Sequence, residues 1–191
     1  MDGIFSLPYS EFEAIIQVQK LFAKNKGYAV FIPASRQQKG IDFIIMNTKS
    51  KKTQRIQVKS SRHWLGQGKS KKTKNEKLKY YFWFNNFIKR YKKDSADWYF
   101  LFGLYPIYET KYNIKSKDKI WKNLILAFTD DEMRNFLKKV KTKRERKEDR
   151  FFGIGFTKLS AIYTTRGFPK RDSLSGYLLA NRVKEISQAL R

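Results

Sequence analysis

Residues Gly40–Ser61 read GIDFIIMNTKSKKTQRIQVKSS, two apolar runs joined by a polar turn. The second run, Arg55–Ser61, alternates cleanly: Ile56 and Val58 belong to one face of a strand, Gln57 and Lys59 to the other. The first, Ile41–Met46, reads as a buried strand, yet it carries Asp42, a residue type disfavoured in apolar strands. The connecting turn is short, so the two strands are expected to pair as a hairpin, with Asp42 across from the Gln57/Lys59 face. A carboxylate, an amide oxygen and an amine gathered there suit phosphodiester cleavage. A hard cation such as Mg²⁺ takes oxygen ligands and keeps several waters. It screens the phosphate and generates or orients the attacking water. A lysine beside it holds that water or stabilises charge developing on phosphorus.

Working outward, Ser10 is the expected N-cap of a helix over Glu11–Lys26, with Gly27 as its stop. Phe12, Ala14, Ile15, Val18, Leu21 and Phe22 form its expected apolar face. Tyr28–Pro33 reads as a short strand and 34–40 as a polar loop. Beyond the hairpin, Gly66–Lys79 is a lysine-loaded loop, and Tyr80–Phe84 is a strand whose rings are expected to be mostly buried, though such rings also stack on bases. Asp97–Tyr105 and Trp121–Phe128 are further strands. Thr129 and Glu132 have capping-box spacing for a helix through Val140. Lys141–Arg150 is a charged run, Phe151–Phe156 a further strand, and Ser173 or Ser175 the expected cap of a final amphipathic helix to about Leu190. This order predicts an α/β or α+β domain with a central mixed β-sheet flanked by helices.

The totals bound the function. In 191 residues, 41% hydrophobic and 16% aromatic, there is enough for one domain with a real core. No apolar run approaches the ~20 residues that span a bilayer, and the first ten residues lack the pattern of a signal peptide, so a cytoplasmic protein with no membrane partner is expected. The absence of cysteine excludes disulfides and thiolate metal sites, and a single histidine, His63, argues against a His-based triad. Forty-two basic residues against 17 acidic ones leave a net charge of +25. A domain so basic is expected to bind a polyanion, and nucleic acid is the natural one. Arg36 and Lys39 before the hairpin, and Lys69, Lys71, Lys72 and Lys74 after it, are expected phosphate contacts that orient without specifying sequence. His63-to-Ser70 resembles half a phosphate loop, but the first glycine position holds His63, so no nucleotide site is expected.

Asp42 followed by Gln57-x-Lys59 on the next strand resembles the PD-(D/E)xK, or restriction-endonuclease-like, nuclease superfamily in its QxK variant. The acid-bearing helix before the motif and the two later strands fit the same order of elements over residues ~9 to 140. Ile41 stands in place of the motif's proline and Gln57 in place of its middle acid. The resemblance implies a restriction-endonuclease-like core over 1–140, with 141–191 as a charged segment plus a helix packing on the same domain. It implies a Mg²⁺-dependent DNA endonuclease, with Mn²⁺ able to substitute, in which Asp42 and Gln57 hold the metal and Lys59 assists. It further implies a glutamate from the first helix: Glu11, on the apolar face, is preferred and Glu13 is the fallback. The implied partners are double-stranded DNA and a second copy, or a larger specificity subunit, in a restriction system. A homing endonuclease or junction resolvase shares the chemistry. A non-catalytic basic DNA- or RNA-binding protein is the rival class.

Overall fold

The structure, a computed structural model, describes residues 9–33, 40–63, 78–85, 87–106, 121–141 and 151–191. Helix α1 spans Tyr9–Leu21, and a 3-10 turn over Lys24–Lys26 leads to Gly27, whose φ of 84° suits a residue without a side chain. Strands β1 (Tyr28–Phe31), β2 (Phe43–Asn47) and β3 (Thr53–Arg62) form an antiparallel meander. After β4 (Tyr80–Asn85) and the short helix α2 (Phe87–Arg90), β5 (Trp98–Pro106) pairs parallel to β3. Strand β6 (Trp121–Thr129) returns antiparallel to β5, completing a mixed sheet of order β1-β2-β3-β5-β6. Helix α3 (Asp130–Lys138), strands β7 (Phe151–Phe156) and β8 (Ile162–Thr164), and helix α4 (Leu179–Ala189) follow. Strands β4, β7 and β8 make a second, antiparallel sheet. The class is therefore mixed α+β, with a central mixed sheet flanked by helices.

Side-chain alternation divides the core into two layers on either side of the five-stranded sheet. Phe43, Ile45, Ile56, Val58, Phe100 and Phe102 face α1 and α4, which contribute Ala14, Ile15, Val18, Leu179 and Ile186. Tyr99, Leu101, Leu126 and Phe128 face the second sheet and α3, which contribute Phe82, Phe84, Phe152, Ile154, Met133 and Phe136. The two sheets pack closely at Gly103, where an added Cβ would stand 2.8 Å from the Phe82 ring. Strand β4 is fastened to the end of β3 by side chains. Ser61 Oγ accepts from Trp83 N–H and donates to Trp83 C=O, and His63 Nδ1 accepts from Tyr81 N–H. His63 is thus structural, and burial pushes its pKa down.

Several local expectations are corrected. The first helix stops at Leu21 because Ala23 turns extended and Phe22 packs edge-on against Tyr28. Ser10 lies inside that helix, and Phe12 is 51% exposed instead of joining the apolar face. The capping box on α3 forms as read: Thr129 Oγ1 accepts from Glu132 N–H, and the Glu132 carboxylate accepts from Thr129 N–H. Neither Ser173 nor Ser175 caps the last helix. Ser175 Oγ serves Ile162 N–H and Ser160 C=O instead, and α4 begins at Leu179. What anchors α4 is Arg182, 9% exposed, which donates to Glu132 and Glu185 beneath the rings of Trp98 and Tyr177. Among the described residues no helix is long and apolar enough to cross a membrane.

Candidate active site

The hairpin register pairs Phe43 with Ile56. One residue earlier, at a bend before the strand, Asp42 donates its backbone N–H to Ile56 C=O at 2.8 Å. Strand β2 begins at Phe43, so β3 would run on past it with an unanswered donor. The Asp42 carboxylate fills that place: Oδ2 accepts from Val58 N–H at 2.5 Å. This bond is charge-assisted and holds the acid in one orientation. Ile56 and Val58 are buried toward α1, so Gln57 and Lys59 leave the strand on the opposite face, the one shared with α2. Asp42 lies at a bend just before β2, and its charge acts on Lys59.

Gln57 is only 8% exposed. Among the described residues no protein group hydrogen-bonds its side-chain amide, which keeps a small solvent-accessible surface. Lys59 is half-buried, with its Nζ 5.8 Å from the centre of the Phe87 ring. No carboxylate among the described residues comes within ion-pair distance of it. Burial is the largest influence on the ammonium and pushes its pKa below the ordinary lysine value. Asp42 pulls it back up, Arg90 pushes it down, and Glu11 exerts a weaker upward pull.

The two helix glutamates part company. Glu11 acts electrostatically on Lys59, whereas Glu13 is bound to β6, its Oε2 accepting from Asn123 Nδ2 at 3.1 Å. Arg36, Lys39, Lys69, Lys71, Lys72 and Lys74 lie outside the described residues, as does most of the charged run 141–150. Arg90, exposed at the end of α2, belongs to the site's electrostatic surroundings. No local pattern flags it, since its place depends on α2 packing Phe87 under Lys59.

The donors at this point are oxygens, from a carboxylate and an amide, with no thiolate or imidazole beside them. That set suits a hard divalent cation and not zinc. The described residues contain no cluster of three or more His, Cys, Asp or Glu side chains. No protein-family model matches the chain, and no curated protein or solved structure matches it.

Proposed function

We propose that the chain is a metal-dependent endonuclease of the PD-(D/E)xK type, hydrolysing nucleic-acid phosphodiesters by direct attack of water. The observation that carries this reading is Gln57. It is a largely buried amide with no hydrogen-bond partner among the described residues, two residues from a half-buried lysine on which Asp42 acts electrostatically. The central mixed sheet flanked by helices is compatible with the same reading, because the family resemblance implies such a sheet. In this account Asp42 and the Gln57 carbonyl hold Mg²⁺, with Glu11 the helix carboxylate closest to them in effect. A bound Mg²⁺ would neutralise phosphate charge and lower the pKa of water. Asp42 is held by the Val58 N–H, so its orientation is set before substrate arrives. Lys59, kept from bulk water, presents a poorly solvated ammonium to the phosphate oxygens, where such a charge gains most as negative charge builds. Duplex DNA, a restriction role, and a second copy or larger specificity subunit complete the proposal.

A second reading, a non-catalytic nucleic-acid-binding protein, has one observation in its favour: Asp42 already has structural work in closing the end of the hairpin. Asp42→Asn separates the two, because the amide oxygen still accepts from Val58 N–H but lacks the charge. With supercoiled plasmid and Mg²⁺ or Mn²⁺, the wild type should nick and Asp42→Asn should not, while both retain DNA at low salt. A wild type that never nicks, with or without a partner subunit, removes the nuclease reading and leaves the binding one.

A further inference from the structure

The outer face of the second sheet is partly covered by Leu78 and Thr165, beside Gly155, and leaves Trp83 exposed. Along β4, Tyr80, Phe82 and Phe84 point inward, leaving Tyr81, Trp83 and Asn85 on the outside. The register places Trp83 beside Gly153 and Asn85 beside Phe151. Trp83 is 37% exposed, large for a tryptophan. The exposed Arg166 lies with its guanidinium 4.8 Å from the Phe151 ring and 5.8 Å from that of Trp83. Farther along the sheet, Arg171 covers Tyr163 at 5.3 Å. The chain from Phe151 to Ser175 carries Lys158, Arg166, Lys170 and Arg171 against one acid, Asp172, which is paired with Lys139 at 3.6 Å. This face also adjoins the candidate active site. Ser61, two residues beyond Lys59, clasps both backbone groups of Trp83.

Resting on the nuclease reading, we propose that this aromatic–arginine face holds an unpaired stretch of the strand being cut, so that the substrate contains single-stranded nucleic acid next to the cleavage point. Exposed lysines alone would serve a duplex, whose bases are stacked on one another and whose phosphates lie outside. Flat rings interleaved with guanidinium planes serve bases that have left the stack, because every base offers a π-face to such a platform. Net positive charge supplies the attraction for the backbone. A protein partner would prefer an apolar patch with fewer like charges.

The test measures binding by a chain that cannot cut. In the Asp42→Asn background, fluorescence anisotropy compares a short oligothymidylate, a blunt duplex and a duplex with a single-stranded tail. Trp83→Ala should weaken the oligothymidylate and tailed duplex about tenfold or more and the blunt duplex by less than about threefold, while Trp83→Phe retains most of the affinity. Arg166→Ala should act in the same direction, and an oligonucleotide bearing iodouracil should photo-crosslink at Trp83. Equal losses on blunt duplex and single strand, or no loss on either, overturn the proposal. Because no cleavage is read, this result stands apart from whether the wild type nicks plasmid.

Discussion

Arg55 and Lys59 sit four residues apart on one face of β3, and the fold treats their charges in opposite ways. Arg55 is paired with Asp97. Its backbone N–H and Nε donate to Asp97 Oδ2 at 2.7 and 3.2 Å, and its Nη2 donates to Oδ1 at 2.8 Å. The hydrogen bonds to Asp97 raise its pKa. Asp94, Asp130 and Asp131 gather around the same cavity. Lys59 has an aromatic ring beneath it, another cation in its neighbourhood and, among the described residues, no carboxylate at contact, and burial lowers its pKa. A charge that a fold has already neutralised contributes to stability, whereas one left desolvated and unanswered is a cost that a substrate or ion can repay. The acid-rich end of β3 is thus read as architecture and the lysine end as chemistry.

The sharpest way to break this contrast is by rate. Lys59→Met should lower plasmid nicking about 10²–10³-fold, and Asp42→Asn at least as much. Asp97→Asn, measured at a temperature where it stays folded, should leave the rate per folded molecule unchanged. If Asp97→Asn abolishes nicking and Lys59→Met does not, the two ends have been assigned the wrong way round.

Stability should show the reverse order. Arg55→Met strands Asp97 and should cost about 1–2 kcal/mol, the lower end being favoured by the exposure of the pair. Lys59→Met should leave the unfolding midpoint unchanged or raise it, because it removes a desolvated charge. The pH dependence carries the same sign. With the folded pKa of Lys59 below the unfolded one, the unfolded chain binds that proton more tightly. Stability contributed by this group therefore rises with pH from the depressed value up to the ordinary lysine value near ~10.4. Denaturant unfolding across that window should show the rise in wild type and a shallower slope in Lys59→Met, and parallel slopes would refute the desolvation account.

Two smaller effects refine the picture. Gln57→Glu adds a charge beside the proposed ion and should tighten Mg²⁺ binding by about 1 kcal/mol or more, roughly fivefold in Kd. Weaker binding would mean that the amide does not face the ion. Thr129→Ala removes half the capping box on α3 and should cost about 1 kcal/mol in thermal or denaturant unfolding, with nicking unaltered.

The hairpin was legible because period-2 alternation across Ile56–Lys59 and the oddity of Asp42 are both local signals. A helical wheel separates Glu11 from Glu13 but places Glu13 on the wet face, whereas it is half-buried against Asn123 of β6, a contact that only the tertiary packing reveals. The second sheet was not legible. Tyr80–Phe84 and Phe151–Phe156 are strand-like in any reading, but nothing local says that they pair with each other and not with β3. That is decided by Ser61 and His63 taking the N–H groups of β4, and by Gly103 admitting the Phe82 ring. Arg90 was hidden for the same reason, since it needs α2 seated under Lys59, and which of the Tyr80–Phe84 rings turns outward needs the sheet that exposes Trp83. The ends of α1 and α4 were misread where a side chain with apparent capping chemistry, Ser10 or Ser175, is employed elsewhere or sits inside the helix.

Isothermal titration of Mg²⁺ or Mn²⁺ into the protein without nucleic acid addresses the central claim most directly. One ion per chain is expected, lost in Asp42→Asn and retained in Asp97→Asn. Binding that survives Asp42→Asn and disappears in Asp97→Asn would place the ion at the acidic end of β3 and contradict the assignment of Asp42, Gln57 and Lys59.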